Sequence, residues 1–193
     1  MGTISLDSGA SLRTTLDGMK KWGACSESMW PYATSKFADQ PPIQCYAEGA
    51  KCVVTRYARV PQTLTDIKTS VSSGFPVIYG FRVYESFDWI GPSGKMPIPD
   101  KVKEKIGGGH AVSIVGYDDS MTFGDTPALG GFIVRNSWGV LWGNLGYFYV
   151  PYSVILDSSI CSDFWVIQET ANPPNVIVPP AGCCDGGCQC SLM

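Results

Sequence analysis

The sequence predicts an α+β fold, with helices gathered in the first third of the chain and a barrel-like antiparallel set of strands behind them. Two stretches, Leu12–Trp22 and Leu64–Ser72, carry apolar residues at helical spacing. Beyond Gly74 the pattern changes to short alternating or continuous apolar runs of strand length. The 22 glycines and 14 prolines of the 193 residues punctuate these runs densely, as a loop-rich β structure requires.

Each element has its own warrant. Leu12, Leu16 and Met19 fall on one face of the first helix; Ser8 or Ser11 caps its start and Gly23 stops it. Residues Cys25 to Gln62 read as irregular, broken by Pro31, Pro41, Pro42 and Pro61. The second helix places Leu64, Ile67 and Val71 together, and Gly74 closes it. Strands follow at Pro76–Tyr84, His110–Tyr117, Gly131–Arg135, Gly146–Val150 and Phe164–Ile167. A loop rich in Gly, Pro and Lys spans Gly91 to Lys105 and ends in Gly107-Gly108-Gly109. From Glu169 the chain becomes Pro-rich and poor in packing residues, which reads as a linker.

Composition excludes several classes. With 45% hydrophobic and 16% charged residues the chain has the makings of a core and is no solvated polymer. A net charge of −3 argues against a dedicated nucleic-acid binder. No apolar run reaches the roughly 20 residues that span a bilayer, and Met1–Asp7 has neither the basic nor the apolar region of a secretory signal. An N-myristoyl motif is also rejected, since Leu6 stands where Ser or Thr is needed. The single histidine, His110, precludes a multi-histidine metal site, and no cofactor is implied.

His110 alone reads as a core histidine heading a strand. Three glycines before it let other backbone approach, and Ala111-Val112 behind it anchor the ring on a rigid element. Asn136, in Arg135-Asn136-Ser137-Trp138-Gly139, ends a later strand. Its side-chain oxygen can accept from an imidazole N–H and fix the tautomer, with Trp138 covering the bond. Taken alone, Asn-Ser-Trp-Gly is also an ordinary turn sequence.

Several segments together resemble one family in a consistent order. They are Gly108-Gly109-His110-Ala111-Val112, Ile114-Val115-Gly116-Tyr117, Asn136-Ser137-Trp138-Gly139 and Trp142-Gly143-x-x-Gly146-Tyr147. Upstream, Trp22–Tyr32 and Gly80–Phe87 fit the same pattern, as do Val150-Pro151-Tyr152 and Asp163-Phe164-Trp165 downstream. From about Asp7 to Ile167 the chain resembles a papain-like cysteine peptidase. The resemblance implies the papain-like α+β fold with its N-terminal part missing. Residues 1–62 would be the remnant of the helical lobe and crossover, 63–168 the β-rich lobe, and 169–193 a flexible tail. It implies His110 as catalytic histidine, Asn136 as its orienting partner, Trp138 as shield and Gly9 as a contact for extended substrate backbone. The implied partner is a peptide or protein substrate.

Such a peptidase needs a thiolate, which in this family lies at the N-terminus of a central helix, where the helix dipole lowers its pKa. In papain and cathepsins the histidine follows that cysteine by roughly 130–150 residues. Only 109 residues precede His110, and no Gln-x-x-x-Gly-x-Cys-Trp stretch occurs among them. The expectation is therefore that the nucleophile lies upstream of Met1 or on a partner chain, that the apolar wall it normally covers is open, and that this chain is inactive alone. Cys25 is a poor substitute: it follows the end of the first helix, where the dipole disfavours a thiolate. Cys45, Cys52 and Cys161 have less support, and pairing of Cys45 with Cys52 stays open beside burial as thiols. The alternative function is a non-catalytic binding or scaffold protein that kept the peptidase lobe.

The chain ends in Cys190-Ser191-Leu192-Met193, which fits a prenylation box, with Cys183, Cys184 and Cys188 as possible acylation sites. Membrane attachment would depend on that modification. A small metal or disulfide cluster and an unstructured tail with incidental cysteines are the competing readings.

Overall fold

The computed structural model describes residues 9–124 and 129–171. These divide into two compact units, one holding the chain up to Arg56 together with the residues from Glu169 on, the other Tyr57–Gln168. No helix among the described residues is long and apolar enough to cross a membrane.

In the first unit, α1 spans Leu12–Trp22. Ser11 is its cap: the Ser11 hydroxyl accepts the N–H of Thr14, while Ser8 lies outside the described residues. Lys20 and Lys21 sit in the last turn, where cations suit the dipole. Gly23 ends the helix at φ 70°, donating its N–H to the Met19 carbonyl. Only glycine fits there, because a Cβ would lie 1.8 Å from the Gly49 carbonyl oxygen. Leu16 is buried, and Trp22 meets Tyr46 edge-on at 5.6 Å.

The stretch expected to be irregular contains structure. A 3₁₀ turn covers Thr34–Lys36, α2 covers Ile43–Gly49 and β1 covers Val53–Arg59. Pro41-Pro42 reads as a breaker, yet Pro42 stands at the cap of α2 with φ −64°, where a proline presets the entry and its missing N–H costs nothing. β1 escaped because only Val54 is buried, so the strand shows no alternation.

The second unit is built on the sheet. Helix α3, Leu64–Ser72, is capped by Thr63, whose hydroxyl accepts the N–H of Asp66, and it buries Ile67 completely against the sheet. The strands are β2 Val77–Tyr84, β3 Ile106–Thr122, β4 Leu129–Arg135, β5 Tyr147–Pro151 and β6 Cys161–Ala171. Their order is β1-β6-β2-β3-β4-β5, an open six-stranded sheet in which β2–β3, β2–β6, β3–β4 and β4–β5 run antiparallel. A 3₁₀ turn at Glu85–Trp89 and the short helix α4, Tyr152–Ile155, complete the unit.

One face of the sheet is the core. Val77, Tyr79 and Phe81 alternate along β2, Val112 and Ile114 along β3, Phe132 and Val134 along β4, and Phe148 and Val150 along β5, all buried. Each such side chain contributes about 1.5–3 kcal/mol on transfer from water. Two expectations are corrected. Gly107-Gly108-Gly109 belong to β3 rather than to a loop, Gly109 pairing with Arg82 and Gly108 with Val83. The strand β6 also runs through Glu169 to Ala171, past the start of the expected linker.

Candidate active site

His110 and Asn136 meet because of strand parity. His110 shares the core-facing side of β3 with Val112 and Ile114, and it lies opposite Phe81 of β2, where the buried row runs out. On β4, Ile114 faces Val134 and Ser113 faces Arg135. Asn136, one residue on, therefore returns to the same side, diagonal to His110. The His110 Nε2 atom lies 2.8 Å from the Asn136 Oδ1 atom.

The direction of that bond follows from a third group. The Ser137 backbone N–H, which can only donate, also reaches Asn136 Oδ1 at 2.8 Å. The atom facing both must be the oxygen, so His110 donates through Nε2–H, and Nδ1 is the ring nitrogen that this hydrogen bond does not engage. Asn136 is itself fixed: its N–H donates to the Gly146 carbonyl at 3.0 Å and its residue is 7% exposed. Among the described residues its buried Nδ2 has no hydrogen-bond partner, a cost borne while the oxygen is presented to His110.

Trp138 lies over the imidazole, ring centroids 5.0 Å apart and planes inclined by 27°. It is braced edge-on by Phe87 at 5.6 Å and Trp142 at 5.2 Å. Phe81 meets the His110 ring at 5.8 Å from the sheet side. The imidazole is thus held by a hydrogen bond, a stacked indole and a phenyl edge. Sequence reasoning quoted Phe87 and Trp142 without a role; both brace the shield. The acceptor role of the Gly146 carbonyl and the donor role of the Ser137 N–H had no sequence signal, being backbone groups.

The loop from Asn136 to Tyr147 is cross-braced. Gly146 donates to Trp142, Trp142 to Gly139, and Asn144 and Tyr147 exchange N–H···O bonds at 2.8 and 3.0 Å. The 3₁₀ turn carrying Phe87 is tied down by Glu104, whose carboxylate accepts the N–H groups of Ser86 at 2.8 Å and Asp100 at 2.7 Å. Desolvation pushes the Glu104 carboxyl up, but the hydrogen bonds from Ser86 and Asp100 outweigh it and hold the group below the ordinary carboxylate range.

The other predicted residues are placed as follows. Gly9 is exposed at φ 71°, with nothing among the described residues within 4 Å of a would-be side chain. A Cβ added at Gly107 or Gly109 would meet nothing described closer than 3.9 Å, the carbonyls of Val83 and Phe81, and one at Gly108 nothing described within 4 Å, so no described group uses the room these glycines leave. Cys25 follows the C-terminal end of α1 and lines an open hollow of about 270 Å³ with Trp22, Trp30, Cys45 and Tyr46. Cys25, Cys45, Cys52 and Cys161 are all free thiols, so Cys45 and Cys52 are not paired. Burial and the neighbouring Cys25 thiol push Cys45 up, and burial with the nearby Asp157 charge pushes Cys161 up to about 12. Cys183, Cys184, Cys188 and Cys190 lie outside the described residues.

The family and fold agree with known proteins. The model of the papain family cysteine proteases matches residues 8–163, and the chain belongs to that family. It is 38% identical over 195 residues to an uncharacterized peptidase C1-like protein of Acanthamoeba polyphaga mimivirus, covering 93% of this chain and 60% of that one. A gut-specific cysteine proteinase of Caenorhabditis elegans is 32% identical over 128 residues, 66% of this chain and 35% of the relative. Among solved structures, xylellain, a cysteine protease from Xylella fastidiosa, superimposes with a TM-score of 0.73 at 35% identity, over 84% of this chain and 62% of that one. The chain thus spans about 60% of the length of the mimivirus relative.

Proposed function

We propose that this chain carries the histidine–asparagine half of a cysteine-type peptidase acting on peptide or protein substrates. The observation that carries the reading is the Nε2–Oδ1 hydrogen bond of 2.8 Å under a stacked tryptophan, a bond that does not engage Nδ1. A ring so held takes the proton of a thiol at Nδ1, forming a thiolate–imidazolium pair. The thiolate attacks the substrate carbonyl, and the imidazolium gives its proton to the leaving amine as the C–N bond breaks. Water, deprotonated by the same nitrogen, then cleaves the thioester and restores the thiol. Asn136 never exchanges a proton. It keeps the ring in one tautomer and one rotation, so that Nδ1 serves every step.

The thiol in this reading comes from residues outside 1–193. Cys25 stands where a helix dipole opposes a thiolate, and the Cys45 and Cys161 thiols are pushed up. Gly9 keeps its proposed role as a substrate-backbone contact, and 63–168 its role as the lobe that carries the dyad. Attachment to a membrane through Cys190 would be an addition to this activity and depends on lipidation.

The test is a peptide–fluorophore cleavage assay on purified 1–193, with and without dithiothreitol. No thiol-dependent release is expected. Release that iodoacetamide blocks would overturn the placement of the nucleophile, and loss of that release in Cys25→Ser would assign it to Cys25.

A further inference from the structure

Glu104 lies outside the candidate site, yet its surroundings are not those of a solvated carboxylate. Lys101, Lys103 and Lys105 flank it in sequence, and among the described residues none pairs with it: Lys101 reaches Asp157 at 2.7 Å and Lys103 reaches Asp100 at 3.1 Å. Both carboxylate oxygens are directed at backbone instead. Oε2 accepts the N–H of Ser86 at 2.8 Å and Oε1 that of Asp100 at 2.7 Å. The Asp100 carbonyl in turn accepts the Glu104 N–H at 2.9 Å, which closes this turn on itself. Two charge-assisted bonds fix a carboxylate as a surface ion pair does not.

The Ser86 N–H needs this partner because the strand ladder ends before it. β2 and β3 shift register between Val83 and Tyr84, and Tyr84 with Ile106 is their last pair. The next two N–H groups, of Glu85 and Ser86, turn to the Lys105 carbonyl at 3.2 Å and to the Glu104 carboxylate. Ser86 is 1% exposed, so water does not replace the carboxylate there. Directly after it comes Phe87, fully buried, with ring centroids 5.1 Å from Phe81, 5.6 Å from Trp138, 5.5 Å from Trp142 and 5.4 Å from Phe148. Phe81 and Trp138 both lie against the His110 imidazole.

We infer that Glu104 is a positioning residue for His110: its carboxylate fixes the Ser86–Phe87 backbone, and Phe87 holds Phe81 and Trp138 against the imidazole. The inference rests on the peptidase reading, in which the ring keeps one pose through every proton transfer. Glu104 itself touches no reacting atom. Its effect travels through a backbone hydrogen bond, the packing of Phe87 and the stacked indole. Close-packed side chains transmit strain, so freeing the Ser86 N–H loosens the indole at the far end.

The test follows exchange of the His110 Nε2 proton with solvent by NMR, in isotope-labelled 1–193 and three variants, well below every melting temperature. Glu104→Ala removes both bonds and is expected to accelerate the exchange by about 10-fold or more, the opening that loss of a charge-assisted hydrogen bond allows. Glu104→Gln keeps one acceptor oxygen and turns a donor toward the other N–H; partial rescue, to an acceleration of about 3-fold, is expected. The control is Thr63→Ala, which removes the cap of α3 and lowers the melting temperature without touching this turn. It should leave the exchange within about 2-fold of the parent. Unchanged exchange in both Glu104 variants overturns the inference. So does equal acceleration in Thr63→Ala, which reduces Glu104 to a contributor to general stability. If Glu104→Ala does not fold, the comparison of Glu104→Gln with Thr63→Ala decides alone. Either negative result with the wild-type Nε2–H signal intact leaves the peptidase reading standing, whereas absence of that signal from the wild-type chain removes the reading itself.

Discussion

Replacing Trp138 with alanine probes the shield, and its cost can be worked from the structure. A tryptophan buries about 150–250 Å² when fully enclosed. Trp138 is 48% exposed, so about 100 Å² is withdrawn from water, worth about 2.5 kcal/mol as an upper figure. Its edge-on pairs with Phe87 and Trp142 add about 0.5–1.5 kcal/mol each. Together these give a loss of about 3–5 kcal/mol, which for a chain of this size lowers the melting temperature by about 6–20 °C. Urea unfolding followed by far-UV circular dichroism measures this without relying on the deleted fluorophore. The same variant uncovers the His110–Asn136 bond, so exchange of the Nε2 proton with solvent should accelerate at least 10-fold, and Trp138→Phe should restore part of both. An alanine variant within 0.5 kcal/mol of the parent, with unchanged proton exchange, would refute the shielding argument.

Two further perturbations test the scaffold. At Gly143 an added Cβ would lie 2.5 Å from the Tyr147 carbonyl oxygen at φ 59°, whereas at Gly139 it would meet nothing within 4 Å at φ 84°. Gly143→Ala should therefore cost about 2–3 kcal/mol, from overpacking plus left-handed strain, and loosen the loop holding Asn136, while Gly139→Ala should cost only about 1–2 kcal/mol; equal costs in urea unfolding would contradict the loop geometry. At acid pH, Asp157 is held down to about 2 by Lys101 and then Ser159. Its folded pKa lies below the unfolded value, so its stabilisation is present above about pH 4 and lost as pH falls through about 2. Because Lys101 is half exposed the effect is screened to about 1–2 kcal/mol, and Asp157→Asn should lose that much less stability than the parent between pH 4 and pH 2.

The parts of the fold legible in the sequence are those where one face is buried and the period is clean. In α3 and β2, Ile67, Val77, Tyr79 and Phe81 are all buried, and periodicity alone places them. The same parity makes a histidine and an asparagine 26 positions apart meet, and the family resemblance pointed to that pair. What was hidden follows from the converse. β1 buries only Val54, so no alternation marks it, and the entry of α2 is disguised because proline serves both as breaker and as helix starter. The strand character of Gly107–Gly109 comes from pairing with Arg82 and Val83, a tertiary fact that three glycines do not announce. The left-handed Leu145 is the clearest case, since leucine has no propensity for that backbone and only coordinates reveal it.

The account turns on the side-chain hydrogen bond between His110 and Asn136, and the chain's one histidine makes it directly measurable. The ¹⁵N spectrum of the His110 imidazole at pH 8 should show the proton on Nε2 and a bare Nδ1, with the Nε2–H signal hydrogen-bonded and lost in Asn136→Ala. A proton on Nδ1, or a spectrum indifferent to the loss of Asn136, would contradict it.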